Sequence, residues 1–286
     1  MRRAQQHLLM LLEEIQNVAQ KVRDPFFTIA PLLNLERPLD PVLKGLDLMN
    51  ADRPSFFGMP MSVGWHDQKH LIMQMLVHTR LRRSVYAKVT WRSHNKGHLR
   101  WDNENSEWKL VVPKHFFKNE NSKALPEDDV PIPFVFEKSD KALYRALKRW
   151  IGAPDPVTGT IDVSGSSRRL VNGADCGDFI FPGLNPGNGI SDQTVFTTVV
   201  EFSATYLAGR PWSDRGVKGV LPFGPQTIRH ITATHIIKTT GSWESAADAL
   251  FDTVGTLRKA YARLLPEEKS RRTNSIISST TSARSW

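Results

Sequence analysis

A block of period-two alternation lies between long stretches of helical spacing, and this limits what the chain can fold into. Leu99-Arg100-Trp101 alternates, Asp102-Asn103-Glu104-Asn105 is a turn signal, and Trp108–Val112 and Val130–Val135 read as two further strands. Together they predict a three-stranded antiparallel sheet. The connection from His115 to Asp129 is long for a hairpin, which marks it as a functional excursion. On both sides the apolar residues recur at helical intervals. Ala4–Val22 is one such stretch, broken by Asp24-Pro25, and residues 25–62 carry six prolines and read as short helices and linker. A helix is predicted from His66 to Thr79, continuing or restarting through Arg83 to Val89. After the sheet come Ser139–Trp150 with Ser139 as N-cap, Ser191–Leu207, Gly224-Pro225 through Lys238, Trp243–Phe251 and Thr256–Leu264. Residues 152–190 are rich in Gly, Pro, Ser and Asp and read as loop. The expected fold class is mainly α with a small antiparallel β-sheet, that is, α+β.

Composition narrows the function classes. Apolar residues are 40% and charged residues 23% of 286, a globular balance. Cys176 is the one cysteine, which excludes an internal disulfide and a cysteine-built zinc site. His94, His98 and His115 have no metal-ligand spacing. No stretch approaches eighteen consecutive apolar residues, and Glu13 and Glu14 interrupt the first apolar run. Neither a membrane span nor a signal peptide is expected, and the chain reads as cytoplasmic. The net charge is +9 and the pI about 9.7. Much of the excess lies between Arg80 and Lys123, where eleven Lys/Arg face four Asp/Glu. Such a surplus is either a solvated basic face or the footprint of a polyanion such as nucleic acid.

The motifs favour the polyanion. Gly224-Pro225-Gln226-Thr227-Ile228-Arg229-His230 is followed by Ala233-Thr234, and this run resembles the Arg-His box of the tyrosine recombinases, the phage-integrase family. That family carries a Leu-Gly-His further on, and Leu250-Phe251-Asp252 stands there in this chain. Tyr261 lies nine residues past Asp252, at the interval of the family's nucleophilic tyrosine. Upstream, Thr79-Arg80-Leu81-Arg82 is similar to the family's Thr-Gly-Leu-Arg segment. The strands at Trp108–Val112 and Val130–Pro133 with the loop at Phe117-Lys118 resemble its lysine-bearing hairpin, and Phe179-Ile180-Phe181-Pro182 resembles its apolar-Phe-Pro element. Helix breaks are expected at Gly241 and Gly255. The resemblance spans about residues 65–265 in order.

It implies a fold, a reaction and a set of residues. Arg82 and Arg229 would clamp the non-bridging oxygens of a phosphodiester, for which a guanidinium fork suits better than an ammonium. Lys118, with Lys114 and Lys123 as neighbours that could take its place, would protonate the leaving 5′ oxygen. Tyr261 would attack phosphorus and hold the strand as a 3′-phosphotyrosine. Gln226 and Asp252 occupy the two histidine positions, Val85 an acid's, and Arg80 a glycine's. Glutamine donates to a phosphate oxygen but cannot shuttle a proton, and a carboxylate at Asp252 repels the phosphate unless Arg229 or Arg258 pairs with it. No cofactor and no metal are implied.

The expected function is a site-specific recombinase or integrase acting on double-stranded DNA, as a homo- or hetero-oligomer (a tetramer at synapsis), associated with the nucleoid. The alternative is a catalytically weakened DNA-binding protein on the same fold, a partner in a mobile-element system. An RNA-binding reading lacks the aromatic signature. Tyr261 also reads as a core tyrosine beside Leu257, Leu264 and Leu265. His230 reads equally as a buried structural histidine or an active one. Three regions are expected: a short N-terminal helical segment at 1–60, forming part of a core-binding domain; the catalytic domain at 61–268; and a disordered tail at 269–286.

Overall fold

The sheet forms where the alternation places it. The computed structural model describes residues 26–55, 59–91, 96–122, 124–134, 141–155, 158, 160–172, 177–185, 187–209 and 215–261. Strands β1 (Leu99–Asp102), β2 (Glu107–Val112) and β3 (Val130–Phe134) pair antiparallel in the order 1-2-3. Leu99 lies opposite Leu110, and Leu110 opposite Ile132. Alternation sends Trp108, Leu110 and Val112 into the core. β3 buries Val130, Ile132 and Phe134 and exposes Pro131 and Pro133. Two prolines fit because β3 is an edge strand. At a spacing of two, both missing N–H groups fall on one side, and β2 needs donors only on the other.

The helices enclose this sheet's inner face and one another. They are α1 (Ala30–Leu33, after a 3-10 turn at Phe27–Ile29), α2 (Asp40–Ala51), α3 (Pro60–Thr79), α4 (Arg83–Tyr86), α5 (Lys141–Trp150), α6 (Arg169–Asn172), α7 (Asp192–Phe202, then a π turn at Ser203–Leu207), α8 (Pro225–Thr240), α9 (Trp243–Leu250) and α10 (Val254–Tyr261). A two-stranded pair, β4 (Ala153–Pro154) with β5 (Ile161–Asp162), interrupts the loop-rich stretch. The architecture is α+β. α3 is central and packs on α2, α5, α6, α7 and α8, so apolar residues from Leu71 to Val77 are buried all round it. Trp91, Trp108 and Trp150 are core residues, and Trp65, Trp101 and Trp243 are partly buried against the core.

Several boundaries differ from those predicted. α3 starts at Pro60, not His66, because proline suits a first helical turn whose N–H groups have no partner in any case. The stretch expected to be short helices and linker contains the three-turn α2, which also carries a proline, Pro41, in its first turn. The helix expected to run to Val89 stops at Tyr86. Gly255 breaks nothing and lies in the first turn of α10. The break falls at Phe251, which takes the left-handed conformation (φ 53°) while the Asp252 N–H bonds to the Ala247 carbonyl. Phe26, Ile29, Leu32, Val42, Leu46 and Met49 join the same core as the residues after 60, the position where the first region was expected to end. The expectations on Ala4–Val22, Ser139, Lys123, Cys176 and residues 269–286 lie outside the described residues. Among the described residues no helix is long and apolar enough to cross a membrane.

A half-buried ion pair anchors the first half of α3. Nε and Nη2 of Arg53 each donate to one oxygen of Asp67, both at 2.8 Å. Burial alone would raise the Asp67 pKa, but the Arg53 fork, His66 and Ser167 outweigh it and hold the carboxyl well below the usual range. A depressed folded-state pKa contributes stability that is complete above the unfolded value, about 3.9, and is lost as the pH falls towards the folded value. Asp67→Asn is therefore expected to cost roughly 2–3 kcal/mol at neutral pH, below the fully buried range because Arg53 is part-exposed. Urea titrations across pH should show the difference from the unsubstituted protein shrinking below about pH 4.

Candidate functional site

The site is organised around Arg229, a buried arginine on α8. Gly224 is extended and Pro225 opens the helix, so Gln226 and Arg229 fall one turn apart on the same face. Arg229 is 6% exposed. Its Nη1 donates to the carbonyl of Arg80, at the end of α3, and its Nη2 to the carbonyl of Leu250 at 2.9 Å, at the end of α9. These carbonyls belong to helix C-termini, where orphan acceptors and the helix dipole favour a cation. Nε of Arg229 is buried and has no hydrogen-bond partner among the described residues. Burial, and then the nearby Arg82, lower the pKa of Arg229, while Tyr86, Tyr261 and Asp252 oppose them.

The two helix ends are themselves unusual. Arg80 caps α3 at φ 54°, and Phe251 follows α9 at φ 53°. Left-handed backbone at a non-glycine residue costs on the order of 1 kcal/mol or more. These are the two positions where the family motifs have glycine. Each strained residue is held by tertiary contacts. Nε of Arg80 donates to the Ala249 carbonyl at 3.0 Å, linking the two helix ends directly. The Phe251 ring meets Phe117 edge-on at 5.5 Å, and its carbonyl accepts from Nδ2 of Asn119 at 3.1 Å. The long β2–β3 connection is thereby docked on the α9–α10 turn.

Arg82 completes the arrangement. It is extended and half-buried just before α4. With Gln226 and Arg229 it lines a cavity of about 420 Å³ that also includes Arg83, Ser84, Thr227 and Asp192, whose carboxylate lies 3.8 Å from Nε of Arg83. A narrow cleft lined by Arg82, Arg229, Phe117, Asn119, Phe251 and Asp252 lies beside it. The Asp252 carboxylate accepts from the Thr253 N–H at 2.9 Å. Four of the six predicted residues, Arg82, Gln226, Arg229 and Asp252, therefore meet. Lys118 is exposed on the turn between Phe117 and Asn119, both of which line the cleft, and Lys114 is half-buried in a short 3-10 turn.

Tyr261 stands apart. It lines neither space, is 3% exposed, and lies with its hydroxyl 2.6 Å from Nδ1 of His230. Burial pushes its hydroxyl pKa up, Arg229 opposes this and Asp252 adds to it. The basic surplus of residues 80–123 is also smaller at the surface than in the sequence. Arg80 turns inward, and Lys109 pairs with Asp102 at 2.8 Å. A larger cavity, about 760 Å³, borders α2 and residues 215–217, and none of the predicted residues lines it.

Sequence reasoning did not find Asn119 as the clip on the loop, Arg80 as the link between helix ends, or Phe26 against Tyr261. These are contacts between residues far apart in the chain, with no local periodicity or turn signal to mark them. No family model matches the chain, and no curated protein matches it.

Two guanidinium groups sharing one cavity should take up an oxyanion. Sodium sulfate, compared with sodium chloride at equal ionic strength, should raise the melting temperature by about 2–4 °C. Sulfate also stabilises proteins by exclusion from their surfaces, so Arg82→Ala is the control. It should remove the site-specific part of the shift, and an unchanged shift would place the anion elsewhere.

Proposed function

We propose that the chain is a tyrosine-type site-specific DNA recombinase, which cleaves and rejoins DNA through a covalent 3′-phosphotyrosine. The observation that carries this reading is the Arg82–Arg229 pair. Two arginines far apart in sequence share one cavity, and one of them is buried at structural cost with two helix ends to hold it. The left-handed backbone at Arg80 and Phe251 supports the same reading, since both stand at glycine positions of the motifs. In this mechanism Arg82 and Arg229 stabilise the charge that develops on the phosphoryl oxygens in the pentavalent transition state. Gln226 donates a further hydrogen bond from the cavity wall. Lys118, on the loop clipped by Asn119, protonates the departing 5′ oxygen. The reaction conserves one phosphodiester bond per cycle, first to Tyr261 and then to a partner strand.

The second reading is a DNA-binding protein on the same fold with weakened cleavage. It is favoured by the burial of the Tyr261 hydroxyl against His230, away from the cavity, and by Gln226 and Asp252 at histidine positions.

A nicked suicide duplex, whose short fragment diffuses away after cleavage, separates the two by trapping the protein–DNA adduct. Tyr261→Phe should abolish the adduct and leave DNA affinity within about twofold, because only the attacking oxygen is lost. Arg229→Ala should damage both, and Asp252→His should speed cleavage by replacing a carboxylate that repels the phosphate. If neither the unsubstituted protein nor a Gln226→His/Asp252→His variant forms an adduct, the non-catalytic reading stands.

DNA affinity should fall steeply with salt through the exposed Arg83, Lys88, Lys96, Arg100 and Lys118. Alanine at any one that contacts phosphate should reduce the log–log salt slope by about 1. A flat dependence would exclude this face as the interface.

A further inference from the structure

His230 follows Arg229 on α8, so the helical turn carries it from the cavity side round to Phe26 and Tyr261. Its Nδ1 lies 2.6 Å from the Tyr261 hydroxyl, and the two rings meet edge-on at 5.6 Å. Phe26 closes the pair, 5.0 Å from the imidazole and 5.7 Å from the phenol. Among the described residues His230 is the only hydrogen-bond partner of that hydroxyl. One helix thus carries Arg229, which lines the cavity, and the hydrogen-bond partner of the Tyr261 hydroxyl on consecutive residues.

Given the recombinase reading, on which this assignment rests, we propose that His230 is a catalytic residue. The Tyr261 hydroxyl lines neither cavity in this structure, so the step includes a turn of the tyrosine towards the clamp, during which Nδ1 of His230 takes its proton and its oxygen attacks phosphorus. The Tyr261 O–H bond breaks, the O–P bond forms, and the imidazole, keeping its hydrogen on Nε2, becomes imidazolium. The P–O5′ bond breaks and its oxygen takes a proton from the Lys118 ammonium. On rejoining, the incoming 5′-hydroxyl returns its proton to the Lys118 amine, and the departing tyrosine oxygen recovers its own from His230.

The chemistry of the pair fits this division. Burial and the neighbouring Arg229 push the His230 pKa down to about 4, so at neutral pH the ring is uncharged and offers a lone pair. The buried phenol does not ionise unaided, because burial pushes its pKa up. Transfer therefore accompanies attack, when bonding to phosphorus makes the phenolic proton acidic.

The test uses the full chain, the nicked suicide duplex, and a second duplex in which sulfur replaces the bridging 5′ oxygen. Sulfur leaves without a proton, so it bypasses general-acid catalysis and isolates the nucleophile's side. His230→Ala and His230→Asn should both slow adduct formation by about 10²–10⁴-fold, with DNA affinity retained. Asparagine places a hydrogen-bond acceptor near the Nδ1 position and cannot take a proton, and it carries the test if the alanine variant fails to fold. Both defects should persist on the sulfur duplex, whereas Lys118→Ala should recover on it. An asparagine variant within a few-fold of the unsubstituted rate would reduce His230 to a positioning role and overturn the proposal. Recovery of His230→Ala on sulfur would move its action to the leaving group and overturn the proposal equally. A normal adduct rate in His230→Ala overturns this assignment alone. No adduct with the unsubstituted protein overturns the recombinase reading and His230's role with it.

Discussion

The burial of one cation shapes the centre of this protein. Arg229 sits in the core with no carboxylate bonded to it among the described residues, which in a medium of low dielectric is costly. Two converging helix C-termini offset the cost, through the carbonyls of Arg80 and Leu250. For those carbonyls to converge, α3 and α9 must end beside the same point, and the chain must turn sharply after each. The left-handed Arg80 and Phe251 are the consequence. A protein selected for stability alone would place glycine at both turns and an apolar residue at 229. The arrangement makes physical sense if a guanidinium must be held rigidly beside Arg82, at the cavity that both line.

That constraint spreads outward through contacts of ordinary strength. Phe251 is held by Phe117, and the Phe251 carbonyl by Asn119, so the loop from the sheet is tied to the turn that presents Asp252. The three-stranded sheet positions that loop, and its core face, built on Trp108 and Leu110, fixes it to the helices. Residues 26–49 are part of the same body. Phe26 reaches the Tyr261–His230 pair, so the segment before α3 bears directly on the surroundings of the tyrosine. The site therefore depends on the fold as a unit, from the 3-10 turn at Phe27–Ile29 to α10.

Tyr261 and the two arginines answer to different physics. Arg82 and Arg229 meet at a solvent-accessible cavity, where an anion can relieve the repulsion between two guanidiniums. Tyr261 faces apolar rings and a neutral imidazole, an environment that keeps its hydroxyl protonated. These two environments lie on adjacent sides of one helix because residues 229 and 230 are consecutive, about 100° apart around the axis.

The sequence by itself determined the local elements and the inventory of the site. Alternation located the sheet and its register face, because a strand's side chains must point in turn to core and solvent. Helical spacing located α3, α7, α8 and α9. The order of motifs pointed to Arg82, Lys118, Gln226, Arg229, Asp252 and Tyr261 as a group, of which Lys118 and Tyr261 line neither of the two adjoining spaces. What only the tertiary structure decided were properties that depend on partners remote in the chain. Gly255 had the strongest propensity to break a helix, yet the break fell at Phe251, because Phe117 and Asn119 hold that residue in a conformation its own propensity disfavours. The inward turn of Arg80 and the pairing of Lys109 with Asp102 removed charge from a basic segment that composition alone counts in full. The placement of the Tyr261 hydroxyl on His230, off the cavity, followed from the packing of α10 on α8 and Phe26, and no spacing along a chain encodes which way a buried ring will face.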